Sequence, residues 1–292
     1  MSEIVNSSIQ PKVSLIRKYP LASFFVLAIG LTWIFLITDA LGSHGILPFR
    51  LPIPLLVVTG YMPTLAAVIV AGQTKGRESV RTLLRKLLIW RVGIGWYLLA
   101  IFGLILVYVP AILIYNQFSG GTPVPLLSEN TPPFNSPLEL VPQIVLLFFI
   151  VGIINGEELA WRGFALPRLQ AKYNALTASL ILGVIWSIFH LPLFFTLTGS
   201  SQSDWSFTNF LTSTVALTVL YTWMYNHTRG SVLMAYLFHA SANTWSQVFS
   251  IDHADPTLRW VTSGLLVVAA VIVVVAAGAE NLSRKNTRIQ EI

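Results

Sequence analysis

Apolar residues run along this 292-residue chain in stretches close to the twenty or so residues that a bilayer demands. Eight such runs stand out, at 19–41, 51–72, 95–115, 138–166, 176–198, 207–226, 231–249 and 260–277. Each predicts a membrane-spanning helix, because a helix satisfies its own backbone in lipid. The first run is too long for a signal peptide and has no matching cleavage site, so it reads as a retained span. The fourth is too long for one perpendicular crossing and must tilt or project beyond the bilayer. Together the runs make one all-α polytopic membrane domain over 19–278, with about eight transmembrane helices, a tail at 1–18 and another at 279–292.

Two connections break the pattern in different ways. Residues 117–137 are rich in Gly, Pro and Ser and read as a turn-rich loop. In residues 77–91, Leu84, Leu87 and Leu88 fall at helical spacing with Arg81, Arg85 and Lys86 between them. That pattern suits a helix lying against anionic headgroups and equally a basic loop that fixes topology.

Composition agrees with this reading. The chain is 54% hydrophobic and only 10% charged, against about 25% in soluble domains, and its mean hydropathy is +0.71. It has no cysteine, which excludes thiol nucleophiles, disulfides and cysteine-ligated zinc. Of its 18 Lys and Arg residues, all but Arg50 and Arg259 fall on one alternate set of connections. Asp39, Glu129, Glu139, Asp204, Asp252 and Asp255 lie on the opposite side. Basic connections stay in the cytoplasm, so both termini are expected there, in a plasma membrane. The net charge of +6 is thereby a topological signal and not a footprint for nucleic acid.

Against so apolar a background, ionisable residues inside the runs mark function or a self-satisfied buried pair. Glu157, Glu158 and Arg162 follow the stretch 140–154, His190 sits in the fifth run, and His239 and Asn243 sit in the seventh. Glu158 and Arg162 are four apart with the acid first, the favourable order for a helical ion pair. Glu157 points roughly 100° away and lacks that partner. A carboxylate left over in a low-dielectric site is a competent general base, although all three charges could also be a plain interfacial helix end. Pro192 removes a helix hydrogen bond and should kink the helix near His190, and freed backbone at such depth must line a cavity or be buried in protein. His239 and Asn243 are one turn apart on one face, as catalytic donors or as interhelical hydrogen-bond glue. Counted from the basic ends of their helices, Glu157 and His239 lie about 15 and 12 Å deep and His190 about 20 Å deep, so the site is expected to be reached from the cytoplasmic side. His44, His227 and His253 read as ordinary loop residues. No His-Glu-x-x-His, Gly-x-Ser-x-Gly or phosphate-loop motif is present.

Glu-Glu-x-x-x-Arg at Glu157, Glu158 and Arg162, then His190, then His-x-x-x-Asn at His239 and Asn243, resembles the CAAX prenyl endopeptidase and bacteriocin-processing (CPBP) family of intramembrane proteases. The stretch Arg162-Gly163-Phe164 with Leu166-Pro167-Arg168-Leu169-Gln170 is similar to the residues just after the family's first motif. The resemblance covers about 138–250. One departure is Trp186, where the pattern has Phe four residues before the histidine; altered packing is expected there. The resemblance implies an endopeptidase in which Glu157 and His190 activate water, His239 and Asn243 supply donors to the oxyanion, and Glu158 and Arg162 support the site. It implies a peptide or protein substrate with a membrane-proximal or lipidated segment, with membrane lipids around it and no required cofactor. An alternative is a zinc protease with Glu157, His190 and His239 as ligands, since two imidazoles and a carboxylate can hold catalytic zinc. A non-enzymatic transporter or immunity-type binding protein is a further alternative, but the two related halves common in transporters are not visible.

Overall fold

The computed structural model describes residues 14–120, 123–127, 137–197, 201–249, 251, 254–284 and 288–291, with the side chains of 137–139 and 201 excepted. Lys12, Glu129, Asp252, His253 and Lys285 lie outside the described residues, as do most of the tail 1–18 and much of the loop 117–137.

The described residues form helices and connecting turns, without strands. A short α1 (Leu15–Lys18) leads into α2 (Pro20–Ser43), whose Pro at the first turn fits a helix start. Then come α3 (Ile53–Thr59), α4 (Met62–Arg85), α5 (Ile94–Phe102) and α6 (Ile105–Phe118). The second half holds α7 (Pro137–Ile154), a π-helical turn (Leu159–Ala165), α8 (Leu166–Gln170), α9 (Ala175–Phe189), α10 (Phe207–His227), α11 (Val232–Val248) and α12 (Pro256–Ala277). The all-α reading of the sequence holds.

Eight spans are not confirmed by the length and apolarity of the described helices. Four helical stretches are long and apolar enough to cross a bilayer: Pro20–Ser43, Ile94–Phe118, Ala175–Phe195 and Pro256–Ala277. Two bent pairs bring the total to six, Ile53–Thr59 with Met62–Leu88 at 43° and Leu140–Ile154 with Leu159–Gln170 at 55°. The sixth and seventh runs, α10 and α11, account for the shortfall. α11 has only 17 residues, and α10 buries Asn209, Ser213, Thr214, Thr218, Thr222 and Asn226. Both pack between other helices, with α10 against α9 and α12 and α11 against α5 and α7, so their sides meet protein and not lipid. Such helices can carry polar residues at low cost when those residues bond across the interface, as Ser179 does to Thr222 at 2.7 Å and Ser213 with Ser263 at 2.6 Å. The chain is an integral membrane protein whose most polar helices are its most enclosed.

The basic segment 77–91 is helical through Arg85, beyond a kink at Gly76, whose φ of 74° suits a residue without a Cβ. Leu83 is buried and Val80 and Leu87 pack inward, while Leu84 and Leu88 are exposed beside Arg81 and Arg85. The C-terminal segment folds back under the basic end. Ala175 N–H donates to Glu280 O at 2.9 Å, Arg288 Nε donates to Gln170 O at 2.9 Å, and Glu291 pairs with Lys86 and Arg168, each at 2.8 Å. Burial pushes the Glu291 carboxyl up, but the Lys86 ammonium and the Arg168 guanidinium outweigh it and hold the group below the ordinary glutamate range.

Candidate active site

The expected continuous fourth helix is broken. α7 stops at Ile154, residues 155–157 are non-helical, and the chain resumes in a π-helical turn from Leu159. A break inside the membrane frees backbone groups that must find partners. Thr64 Oγ1 donates to Gly156 O at 2.6 Å, and Tyr61 Oη donates to Ile153 O. Gly156 is required here: a Cβ would come within 2.3 Å of the Tyr61 ring. The break turns Glu157 and Glu158 inward, both under 10% exposed.

Glu157 is not the unpartnered carboxylate expected from the sequence. Its Oε2 accepts from Trp161 Nε1 at 2.9 Å and from Trp186 Nε1 at 2.7 Å. Its Oε1 lies 3.9 Å from His190 Nε2. One oxygen is thus held by two neutral indole donors and the other faces an imidazole. Trp186 does more than fill space: a Phe at that position has no N–H to give. The i,i+4 spacing of Glu157 and Trp161 was legible in the sequence, but the Trp186 bond spans 29 residues and was not.

Glu158 and Arg162 pair as expected, with Oε1 2.9 Å from Nη1 and both side chains fully buried. The same Oε1 lies 2.7 Å from His239 Nδ1, a link the sequence did not suggest. The Arg162 guanidinium sits between the Trp186 ring at 4.2 Å and the Tyr221 ring at 3.8 Å, so its charge meets two aromatic faces as well as a carboxylate. Among the described residues, Glu158 Oε2 and Arg162 Nε find no hydrogen-bond partner.

α9 ends at Phe189 and His190 caps it, followed by a 3-10 turn over Leu191–Phe195, so Pro192 ends the helix where a kink was expected. His190 Nδ1 is 2.8 Å from Trp186 O. A carbonyl only accepts, so Nδ1 carries the proton and the neutral ring presents Nε2 as an acceptor toward Glu157. The rings of Phe189 and Phe210, 4.9 and 5.3 Å away, hold the imidazole in place.

His239 and Asn243 lie on one face of α11, and with Glu157 and His190 they line a single cavity of about 500 Å³. All four residues expected to act together therefore meet. The cavity does not run toward the basic end, as the depth count suggested. Its further polar lining includes Thr59, Asn155 and Thr214, and also Asp39, Thr196, Gln202 and Gln247, which belong to the opposite ends of their elements. Asp39 there is tied to Arg50, with Nη2 2.6 Å from Oδ2. His44 and His227 stay outside the cavity; His44 Nε2 is 2.8 Å from Phe195 O, and His227 closes α10 against the Trp96 ring.

Among the described residues, no three His, Asp or Glu side chains are grouped as a metal requires. The Nδ1 atoms of both imidazoles bond Trp186 O and Glu158, the kind of contact that also orients metal-ligating histidines.

A CAAX prenyl protease 2 from Methanococcus maripaludis is 32% identical over 162 residues, which cover 54% of this chain and 54% of that protein. The chain thus spans about half the length of the curated relative it matches. Residues 137–245 match the family described as Type II CAAX prenyl endopeptidase Rce1-like. That segment holds Glu157, Glu158, Arg162, His190, His239 and Asn243, so the region that builds the site is similar to the Rce1-like CAAX prenyl endopeptidases, as the three motifs suggested.

Proposed function

We propose that this chain is an intramembrane endopeptidase of the CAAX-protease type, cutting a peptide bond with water held between Glu157 and His190. The observation that carries this reading is the 3.9 Å separation of Glu157 Oε1 and His190 Nε2 on the cavity wall. Both atoms are acceptors, and a water about 2.8 Å from each would donate to the two at an angle of about 90°, close to its own geometry. As the water oxygen bonds to the scissile carbonyl carbon, its proton passes to this pair. The same proton then goes to the leaving nitrogen as the C–N bond breaks.

The developing oxyanion needs donors. Asn243 offers a neutral amide N–H. His239 gives its Nδ1 to Glu158, so its Nε2 has a proton to donate only where the ring carries both. Glu158 and Arg162 therefore position the donor ring and touch no reacting atom. The step needs no metal, and we derive none through zinc. The apolar wall, which includes Leu36, Leu56 and Val57, suits a membrane-proximal or lipidated substrate segment. The relative's name, a prenyl protease, supports the same class, and membrane lipids surround the site.

The test is comparison of membrane proteomes from cells carrying the wild type and Glu157→Gln. Uncut precursors should accumulate with the variant, while the variant protein stays inserted and abundant. Purified wild-type protein should keep its rate after treatment with a zinc-stripping chelator. Full activity of Glu157→Gln sinks the assignment. Stoichiometric zinc whose removal abolishes cleavage and whose return restores it replaces the mechanism.

A further inference from the structure

The chemistry at Glu157 and His190 leaves the arginine-rich segment 77–91 unused. Beyond the kink at Gly76, Arg77, Arg81 and Arg85 recur one helical turn apart, so their exposed guanidiniums run along one side of the helix. Lys86 differs from them, because its ammonium turns inward to Gly163 O at 2.6 Å and to Glu291 at 2.8 Å. Val80, Leu83 and Leu87 anchor the helix on the bundle, while Leu84 and Leu88 stay exposed between that anchor and the arginines. The arginine row and these leucines line a shallow groove of about 570 Å³. A second groove of about 430 Å³ continues from Leu88 to Trp90, Arg91 and Arg229. The Arg91 guanidinium lies 5.1 Å from the centre of the Trp90 ring, and Arg229 donates to Arg91 O, which keeps these two cations at the same end. Among the described residues, the carboxylate paired with this row is Glu78, whose Oε1 is 3.4 Å from Arg85 Nη1. Both partners are largely exposed, and such a pair is weak enough to yield to a better anion.

Leu88 is 73% exposed and Trp90 57%, and both adjoin guanidiniums. The apolar groups need hydrocarbon and the cations need anions. The headgroup layer of a bilayer offers both within the length of one side chain. We propose that the two grooves form a binding site for one anionic phospholipid, its phosphate held by the Arg77, Arg81 and Arg85 row and its acyl chains lying along Leu84 and Leu88. A guanidinium fork matches a phosphate with two hydrogen bonds, as an ammonium does not. A zwitterionic lipid carries its own cation to the same place and gains less. A free soluble anion leaves the leucines and the indole uncovered. The site is joined to the catalytic turn from behind: Lys86 bonds Gly163 O, and a Cβ on Gly163 would come within 3.1 Å of Leu83 Cδ1. A lipid seated on the outer side of this helix therefore braces the turn that carries Arg162. The proposal depends neither on the side of the membrane that the segment occupies nor on the proteolytic reading above.

The test offers the purified full chain equal amounts of phosphatidylglycerol and phosphatidylcholine in detergent and reads the retained lipid by native mass spectrometry. The wild type should retain phosphatidylglycerol in preference. Joint Arg77→Gln, Arg81→Gln and Arg85→Gln should cut that preference by about fivefold per guanidinium removed. Joint Lys18→Gln, Lys172→Gln and Arg284→Gln removes as much charge from outside the grooves and should leave the preference intact. Equal retention of the two lipids by the wild type, or an equal loss in both triple variants, overturns the proposal. Glycerophosphoglycerol, the same headgroup without acyl chains, and inorganic phosphate should not displace the lipid at matched concentration. Displacement by either makes the groove a site for soluble anions and overturns the lipid. If the arginine triple variant inserts poorly, Arg81→Gln alone decides: a loss of about fivefold supports the site and an unchanged preference overturns it. Phosphatidylglycerol should also raise the melting temperature of the wild type more than that of the arginine variant, and an equal rise in both overturns the bracing of the turn.

Discussion

Replacing Glu158 by Gln should destabilise the protein far more than replacing Glu157 by Gln, although the two residues are adjacent and both buried. Glu158 Oε1 serves Arg162 at 2.9 Å and His239 at 2.7 Å, and all of the Glu158 and Arg162 side chains are out of solvent. Glu158→Gln keeps the shape and one acceptor oxygen but leaves the guanidinium without its counter-charge. Breaking a buried pair in this way costs about 3–5 kcal/mol. The Trp186 and Tyr221 faces on either side of Arg162 recover part of that, which favours the lower figure, about 3 kcal/mol. Against a total of about 5–15 kcal/mol, the loss is large, and it translates to a fall of roughly 5 °C in the melting temperature of a 292-residue chain. Glu157→Gln also keeps an acceptor oxygen for the two indoles and orphans no cation, so its melting temperature should stay near the wild type while cleavage stops. The assay is thermal unfolding of the three purified proteins in one detergent. A double variant, Glu158→Gln with Arg162→Met, removes both charges and should recover most of the loss. Unfolding of Glu158→Gln within about 2 °C of the wild type, or an equal fall for Glu157→Gln, refutes the division of labour between the two carboxylates.

Trp186→Phe keeps the aromatic bulk but removes one of the two N–H donors to Glu157 Oε2, a charged bond worth about 1.5–3 kcal/mol; kcat should drop by about tenfold or more, and an unchanged kcat would reduce the indole to packing. Asn243→Ala should lower kcat far more than it raises KM if the amide acts on the oxyanion, and would lower stability with normal kinetics if it only joins helices. The Glu291 carboxyl, held below its ordinary range by Lys86 and Arg168, contributes stability above the unfolded value of about 4.3 that is lost as pH falls through the lower folded value. Glu291→Gln should therefore lower the melting temperature at pH 7 and remove this acid-side loss; an unchanged melting temperature at pH 7 would show that the tail contacts are not holding the basic end.

The fold and the site were legible to different depths. Runs such as 19–41 and 260–277 declared themselves because a lipid-facing helix must be apolar around most of its circumference. α10 and α11 look like spans in the sequence but are poorer in apolar residues, because their faces meet other helices. The Glu158–Arg162 pair was readable from its spacing, which survives the π-helical turn. Glu158 to His239 and Trp186 to Glu157 join elements far apart in the chain, and no local pattern encodes them. The direction of the cavity escaped the depth count for a related reason. That count located the site along each helix, but which end stays open depends on loops that close the other end.

The interruptions that build the site are supported from outside the region of family likeness. α7 ends at Ile154 and α9 at Phe189, and each ending releases carbonyl oxygens that need donors where lipid offers none. Trp33 on α2 donates its indole N–H to Phe189 O at 2.9 Å. Tyr61 and Thr64, at the start of α4, take Ile153 O and Gly156 O, and Lys86 takes Gly163 O. Phe24 packs at 5.5 Å on the Trp161 ring that holds Glu157. These donors and this contact all lie before residue 137, where the matched segment begins. The motif residues supply the chemistry, but the broken backbone that aims Glu157 and His190 at one point is held by the N-terminal helices. Segment 137–245 alone would leave Ile153, Gly156, Gly163 and Phe189 carbonyls without these donors. The first spans, which carry no motif of their own, therefore act as the clamp that makes the active geometry possible.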